Sequence, residues 1–303
     1  MTELPSVTVI VCTYRRPRQL QELLNSLATQ EIAGLRPQLC IVDNDAEQSA
    51  CSVVSAAAQQ FPWPVQYVSQ PVKNIALTRN AGLETVQTDY LAFIDDDEVA
   101  APVWLKSLVG LAEQENAQLI FGPVSPIYPA GIDAWLIEGG FFERPRHLTG
   151  EIVPMREART GNVLIKADLI LKNGWKFDEK LGLSGGEDSA FFENMYAAGV
   201  MAIWCDEAEV SEEVALNRAT SGWLLRRSFR IGSVEASLAL ASGSLLSPGK
   251  IILKLIYLVF RSIISSIFIP LRKKSSNFKV LRSLSLAAGI FYGLALGPYN
   301  EYK

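Results

Sequence analysis

Short β-branched runs alternate with helical runs over the first 118 residues, and no other feature restricts the fold as much. Val7-Thr-Val-Ile-Val-Cys-Thr13 is an apolar run of strand length that breaks at Arg15-Arg16-Pro17. Residues 19–30 then carry Leu20, Leu23, Leu24 and Leu27 at helical spacing. Leu39-Cys-Ile-Val42 predicts a second strand, residues 50–60 a helix, and Val65-Gln-Tyr-Val68 a third strand after Pro62 and Pro64. Residues 75–86 read as a helix, Tyr90–Ile94 as a fourth strand and residues 103–116 as another helix. Strands in alternation with helices of this length specify an α/β fold with a parallel, doubly wound sheet. Such sheets bind ligands beyond the carboxyl ends of their strands. Thr13, Asp43 and Asp95 all stand at those ends.

The fourth strand runs into Asp95-Asp96-Asp97 and then Glu98. Clustered carboxylates at a sheet rim repel one another and raise each other's pKa unless a cation compensates. Hard divalent ions such as Mg²⁺ and Mn²⁺ prefer oxygen ligands, and magnesium takes only one or two carboxylates and fills its shell with water and phosphate. A solvated acidic turn would have the same composition, so the triplet alone does not decide. Its alignment with Thr13 and Asp43 favours a ligand site.

Beyond residue 118 the pattern loosens. Residues 119–124, 162–165 and 201–205 read as strands, and 166–173 and 220–241 as helices. Residues 126–160, rich in Pro, Gly and aromatics, are expected to form a long loop region over the sheet. Gly182-Leu-Ser-Gly-Gly-Glu187-Asp188 is a flexible loop leading into a helix over 189–198. Four cysteines lack metal-type spacing and fit a reduced, cytosol-facing location. The single histidine, His147, excludes multi-histidine metal sites and reads as a surface loop residue. Residues 1–6 are polar and carry no signal-peptide pattern.

The net charge of −4 hides an asymmetry: residues 1–235 hold nineteen Lys/Arg against thirty-one acids, whereas 236–300 hold eight Lys/Arg and no acid. An acidic body with a basic, apolar tail points to an anionic membrane surface and away from nucleic acid. Residues 250–272 predict a helix with a narrow basic stripe, stopping near Pro270 and followed by the cluster Arg272-Lys-Lys274. Residues 281–296 form a second apolar stretch with Gly289, Gly293 and Gly297 four apart, a spacing that lets helices approach closely in membranes. Neither stretch is a clean span of ~20 uncharged residues, so in-plane or hairpin association is expected. Two helices that cover the sheet or form a homodimer interface are the alternative.

In order, the chain presents Val9-Ile-Val-Cys-Thr-Tyr-Arg-Arg-Pro17, Val42-Asp-Asn-Asp45, Asn74-Ile-Ala-Leu-Thr-Arg-Asn80, Phe93-Ile-Asp-Asp-Asp97, Gly161-Asn162 and Gly185-Gly-Glu-Asp188. Over about residues 6–230 this series resembles the family 2 glycosyltransferases, inverting enzymes that use nucleotide-sugars. The resemblance implies the GT-A fold, a Rossmann-like, mostly parallel mixed sheet flanked by helices, plus C-terminal apolar helices. It implies a transferase domain over 1–235, with a nucleotide-sugar half (1–118) and an acceptor and base half (119–235), and a membrane-associated tail over 236–303. Asp95 and Asp97 match the ends of the family's Asp-x-Asp, which implies Asp97 on Mg²⁺ or Mn²⁺ and Asp95 near the ribose or metal. Asp96 fills the variable position and reads as a solvated or capping acid.

By the same resemblance Thr13, Arg15, Arg79 and Asn80 line the nucleotide site, and Asp43 faces the nucleobase, where a carboxylate accepts the N3–H of uracil. Asp188 matches the family's base, while Glu187 and Asn162 fall on the acceptor side. Some metal-dependent relatives add a histidine ligand after the base. Here Val210-Ser-Glu-Glu213 occupies that region, leaving a glutamate, or diphosphate and water, to complete the shell. Arg226-Arg-Ser-Phe-Arg230 lacks the Gln-x-x-Arg-Trp pattern of processive polymerases, which favours single-sugar addition. The implied activity is transfer of one sugar from a UDP-sugar to a lipid-linked or surface-polysaccharide precursor at the cytoplasmic face of the cell membrane. Transfer onto polyprenyl phosphate, or a non-catalytic nucleotide-sugar-binding subunit, are the alternatives.

Overall fold

The first strand, β1 (Ser6–Thr13), splits its side chains between two cores: Val7, Val9 and Val11 face one side and Ile10 the other. This is the period-two consequence of a strand covered on both faces. Pro17 opens α1 (Pro17–Ala28), its fixed φ suiting the first helical turn, and Leu20, Leu23, Leu24 and Leu27 are fully buried. β2 (Arg36–Asp43), α2 (Cys51–Ala58), β3 (Val65–Ser69), α3 (Ile75–Leu83) and β4 (Tyr90–Ile94) continue the alternation. The chain then forms β5 (Glu98–Ala100), α4 (Trp104–Glu115), β6 (Leu119–Phe121), β7 (Val124–Ile127) and α5 (Ala134–Glu138). β8 (Asn162–Lys166), α6 (Ala167–Asn173), α7 (Glu187–Ala197), β9 (Ala202–Trp204) and β10 (Val210–Glu213) follow. Among the described residues three long helices follow: α8 (Ser221–Ala241), α9 (Leu246–Ser266) and α10 (Lys274–Leu296). The computed structural model describes residues 3–241, 246–266 and 273–299. The expected helix stop at Pro270, and Arg272 of the basic cluster, lie outside them.

Seven strands form one sheet in the order β3-β2-β1-β4-β8-β6-β9, parallel except at β8, which runs antiparallel to both β4 and β6. The order reverses at β1, whose neighbours are β2 and β4, with Thr13 level with Asp43. That reversal opens a crevice beyond the carboxyl ends of β1 and β4. Leucines of α1 and the apolar face of α4 cover one side of the sheet; residues of α3, α6 and α7 cover the other. A second, three-stranded sheet, β5-β10-β7, was not foreseen. Its strands have three or four residues each, too short for their pattern to stand out in sequence.

Contacts divide the chain into two compact units. One comprises residues 1–126, 144–182 and 187–213 and contains the seven-stranded sheet; the other comprises 127–143, 183–186 and 214–303. The expected domain boundary at 235/236 lies within the range of α8. Within the second unit α8 and α10 pack with backbones nearly touching. A Cβ added to Gly289 would lie 1.9 Å from the Phe229 carbonyl oxygen, and one on Gly293 would lie 2.3 Å from that of Ser233. Gly289 and Gly293 of the glycine ladder thus serve contact with α8 inside one chain, while a Cβ on Gly297 would meet nothing within 4 Å.

Candidate functional site

Asp95, Asp96 and Asp97 leave β4 at the crevice, but each side chain meets a different neighbour. Asp96, expected to be solvated, is buried. Its Oδ2 accepts a 2.8 Å hydrogen bond from the Thr13 hydroxyl, and its Oδ1 accepts one of 2.9 Å from Arg16. The same Arg16 nitrogen donates to Asp97 at 2.8 Å. Asp96 therefore ties β1 to the turn after β4, and burial raises its pKa although Arg16 opposes the shift. Arg16 was missed as a site residue; it immediately precedes Pro17, which starts α1 and leaves Arg16 facing the acids.

Asp95 is more strained electrostatically. Burial, with Asp97 and Glu212 nearby, pushes its pKa up to about 7, while Arg79 and Arg144 oppose the shift. Glu98 is buried too, and burial and Asp95 raise its pKa well above the usual carboxylate range. Its Oε2 accepts the Asp95 backbone N–H at 3.0 Å, and its Oε1 has no hydrogen-bond partner. Gly161 leaves room here: a Cβ on it would sit 2.8 Å from Glu98 Oε1 and 3.1 Å from Asp95 Oδ2. Arg144 donates to Glu212 at 2.8 Å beside these acids. Glu98 was legible as a fourth acid of the run, whereas Arg144 comes from the irregular 126–160 stretch and left no signal.

Among the described residues, no group of three or more His, Cys, Asp or Glu side chains is arranged to hold a metal ion. Asp95 and Asp97 nonetheless fit a hard cation that takes two carboxylates and draws its remaining ligands from diphosphate and water. A half-buried carboxyl pushed to about 7 beside the Glu98 oxygen that lacks a partner is the charge imbalance such an ion corrects. Glu212, from the Val210-Ser-Glu-Glu213 segment, lies close enough to raise the Asp95 pKa.

Arg79 is buried on α3 and forms an ion pair with Glu187 at the start of α7. Burial works against its charge, but Glu187, Asp188 and Asp95 outweigh that and keep the guanidinium pKa raised. Its guanidinium carbon also lies 5.5 Å from the Phe177 ring centroid. For Glu187 burial raises the pKa, opposed by Arg79 and reinforced by Asp188. Asp188 itself is half-buried in the first turn of α7 and accepts the Ser189 N–H at 2.7 Å. Gly185 and Gly186 precede the pair at φ +81° and +93°, a region where glycine carries no Cβ penalty. The fold thus gathers Asp95 and Asp97 from the turn after β4, Arg79 from α3, and Glu187 and Asp188 from α7 into one charged cluster.

Other expected site residues are committed elsewhere. Asp43 is fully enclosed, accepting from Asp45 N at 3.0 Å, Ala50 N at 2.9 Å and the Tyr67 hydroxyl at 2.9 Å, so it frames the loop after β2 and does not face an open base site. Asn80 clamps Phe177 through both ends of its amide, at 2.8 and 3.0 Å. Asn162 accepts from Trp104 Nε1 at 2.8 Å and donates to the carbonyls of Pro123 and Ala208. Asn162 spends both amide protons on backbone carbonyls, and Asn80 spends one while its oxygen accepts the Phe177 N–H, which makes them pins of the scaffold. Arg15, at φ +56°, points outward to Asp45 at 3.2 Å, with Glu47 also in reach at 3.7 Å.

A doubly wound sheet with a carboxylate rim at its reversal point and an acid pair opening a later helix is the arrangement of a GT-A fold. Residues 8–159 match the model of glycosyl transferase family 2, and the chain belongs to that family. It is 38% identical over 236 residues to the succinoglycan biosynthesis protein ExoM of Rhizobium meliloti (strain 1021), covering 77% of this chain and 74% of that one. Among solved structures it resembles the mannosyltransferase PcManGT from Pyrobaculum calidifontis in complex with GDP-Man and Mn²⁺, at TM-score 0.65 and 17% identity, over 97% of this chain and 88% of that one. It also resembles residues 1–349 of TarS from S. aureus in complex with UDP-GlcNAc, at TM-score 0.56 and 14% identity, over 95% and 91% of the two chains. The chain is a GT-A-type glycosyltransferase, and its resemblance to a succinoglycan biosynthesis protein supports a part in polysaccharide biosynthesis.

Proposed function

We propose that this transferase inverts configuration, moving one sugar from a UDP-sugar to a hydroxyl of a lipid-linked or surface-polysaccharide precursor at the cytoplasmic face of the cell membrane. The observation that carries the reading is the cluster joining the acids after β4 to Glu187 and Asp188 through Arg79. Asp97, with Asp95, would hold Mg²⁺ or Mn²⁺, which when bound supplies positive charge against the leaving diphosphate. Arg79, buried and fixed by Glu187, adds a permanent positive charge beside that position. Asp188, half-buried in the first turn of α7, takes the proton of the attacking acceptor hydroxyl. Glu187 holds Arg79 and leaves one buried oxygen, Oε2, for an acceptor hydroxyl. Thr13 and Asp96 set the floor of the crevice, and Arg15 stands at its rim. Asp43, Asn80 and Asn162 act on the site through the loops they hold.

A screen of UDP- and GDP-sugars, following nucleotide release with Mg²⁺ or Mn²⁺ and membrane extract as acceptor, tests the proposal. Release that needs a UDP-sugar, extract and Asp188 supports it. Release unaffected by Asp188→Asn would favour transfer onto a polyprenyl phosphate, which has no hydroxyl proton to remove. No release from any donor by folded protein would leave the non-catalytic reading.

A further inference from the structure

The second unit carries an apolar surface for which the transfer site has no use. One side of α9 packs into the helical core: Ile251, Leu255 and Leu258 meet Ala236 of α8 and Ala287 and Ile290 of α10. The opposite side is exposed. Leu253 (67%), Ile256, Tyr257, Phe260 (62%) and Ile263 recur three or four apart and so share one broad face. Exposed Lys250 and Arg261 lie along one edge of that face, with Tyr257 next to them. Between residues 236 and 300 there is no acid at all.

We infer that α9 lies in the plane of an anionic bilayer with this face in the headgroup boundary, and that α10 does not cross it. The inference rests on the membrane association proposed above and names the element responsible. An apolar helix face edged by cations and an aromatic residue is the pattern of interfacial helices, because lipid phosphates neutralise the cations while the apolar side leaves water. A span by α9 would carry Arg261 into hydrocarbon, together with Lys254 and its 2.6 Å partner Glu235 on α8. α10 is the described helix long and apolar enough to span by length and composition. Yet its glycine face is occupied by α8, and its N-terminal half carries Lys279 and Arg282. The apolar stretch 281–296, which contains Arg282, measures about 24 Å as a helix, short of the ~30 Å hydrocarbon core. A two-fold contact of α9 with a second copy is disfavoured by charge, since the same cations would meet with no acid in this part of the chain to pair them.

Sedimentation of the full chain with lipid vesicles tests the inference, with nucleotide release measured in parallel to report folding. Wild-type protein is expected to bind vesicles containing phosphatidylglycerol more tightly than vesicles of phosphatidylcholine alone, and less tightly as salt rises. The double variant Leu253→Asp, Phe260→Asp should lower the bound-to-free ratio about tenfold or more with donor turnover retained. Lys250→Glu with Arg261→Glu should lower it several-fold on anionic vesicles only. Phe291→Asp, on the exposed side of α10, should leave it within about twofold. Independently, Tyr257→Trp should shift its fluorescence to the blue on vesicle addition. Binding that survives the α9 variants and is lost with Phe291→Asp would overturn the assignment to α9 while sparing membrane association. Absence of wild-type binding to any vesicle would overturn the membrane reading itself. Wild-type protein that is dimeric by light scattering, and monomeric once α9 is altered, without vesicle binding, would assign the face to a second copy.

Discussion

Asp188 and Glu187 are adjacent in sequence but chemically distinct, because only Glu187 is locked against a buried arginine. If Asp188 is the base, Asp188→Asn should lower kcat by about 10²–10⁴-fold with donor KM little changed, measured by steady-state nucleotide release. Arg79→Met has a different expected signature. It leaves Glu187 buried without its counter-charge, so unfolding by denaturant should show a loss of about 3–5 kcal/mol, partly restored by adding Glu187→Gln. Equal stability of the single and double variants would mean the pair is not coupled. The two asparagines illustrate a limit of reading residues one at a time. A Gly-Asn or Arg-Asn pair looks like binding chemistry in sequence, but Asn162 and Asn80 spend their amides on Trp104, Pro123, Ala208 and Phe177. Hydrogen-bond partners 39–97 residues away are set by packing, and no local pattern announces them.

The strands and helices that carry the site are held by close approaches between elements. Gly82 of α3 would place a Cβ 2.6 Å from Ile10 Cγ2 on β1, so Gly82→Ala should cost about 1–3 kcal/mol in a denaturant titration, even though alanine is the better helix former. The start of β1 is tied to the turn before β4 by Asp89, which accepts from the Ser6 N–H at 2.8 Å and the Ser6 hydroxyl at 2.6 Å. Those bonds hold the Asp89 carboxyl below its usual pKa. A depressed folded-state pKa contributes stability above the unfolded-state value, near 4, that disappears as pH falls through the folded value. The melting-temperature gap between wild type and Asp89→Asn should therefore be present at pH 7 and close as pH falls below the usual carboxylate range and through the lowered folded-state value. A gap independent of pH would mean the hydrogen bonds matter without the charge.

For the whole molecule, ligand linkage supplies the most direct test of the metal assignment. UDP with Mn²⁺ at ~100 times the dissociation constant should stabilise the fold by about 2.7 kcal/mol, seen as a raised melting temperature. UDP alone should do much less, and Asp97→Ala should erase the Mn²⁺ increment. An increment that persists in Asp97→Ala would remove Asp97 from the metal.

The sequence by itself determined the alternation of strands and helices, and with it the sheet, the crevice at its reversal point and the acids at its rim. These follow from local periodicity and from strand ends, which chain order alone specifies. It also gave the acid pair after two glycines and the unbalanced charge of the tail. Only the tertiary structure decided that Asp96 is buried beneath Thr13 and Arg16, that Arg79 pairs with Glu187, and that Gly289 and Gly293 pack on α8. Those outcomes depend on which distant surfaces meet and which charges are taken out of water together. Burial of that kind is a property of the assembled fold, and no stretch of the chain carries it alone.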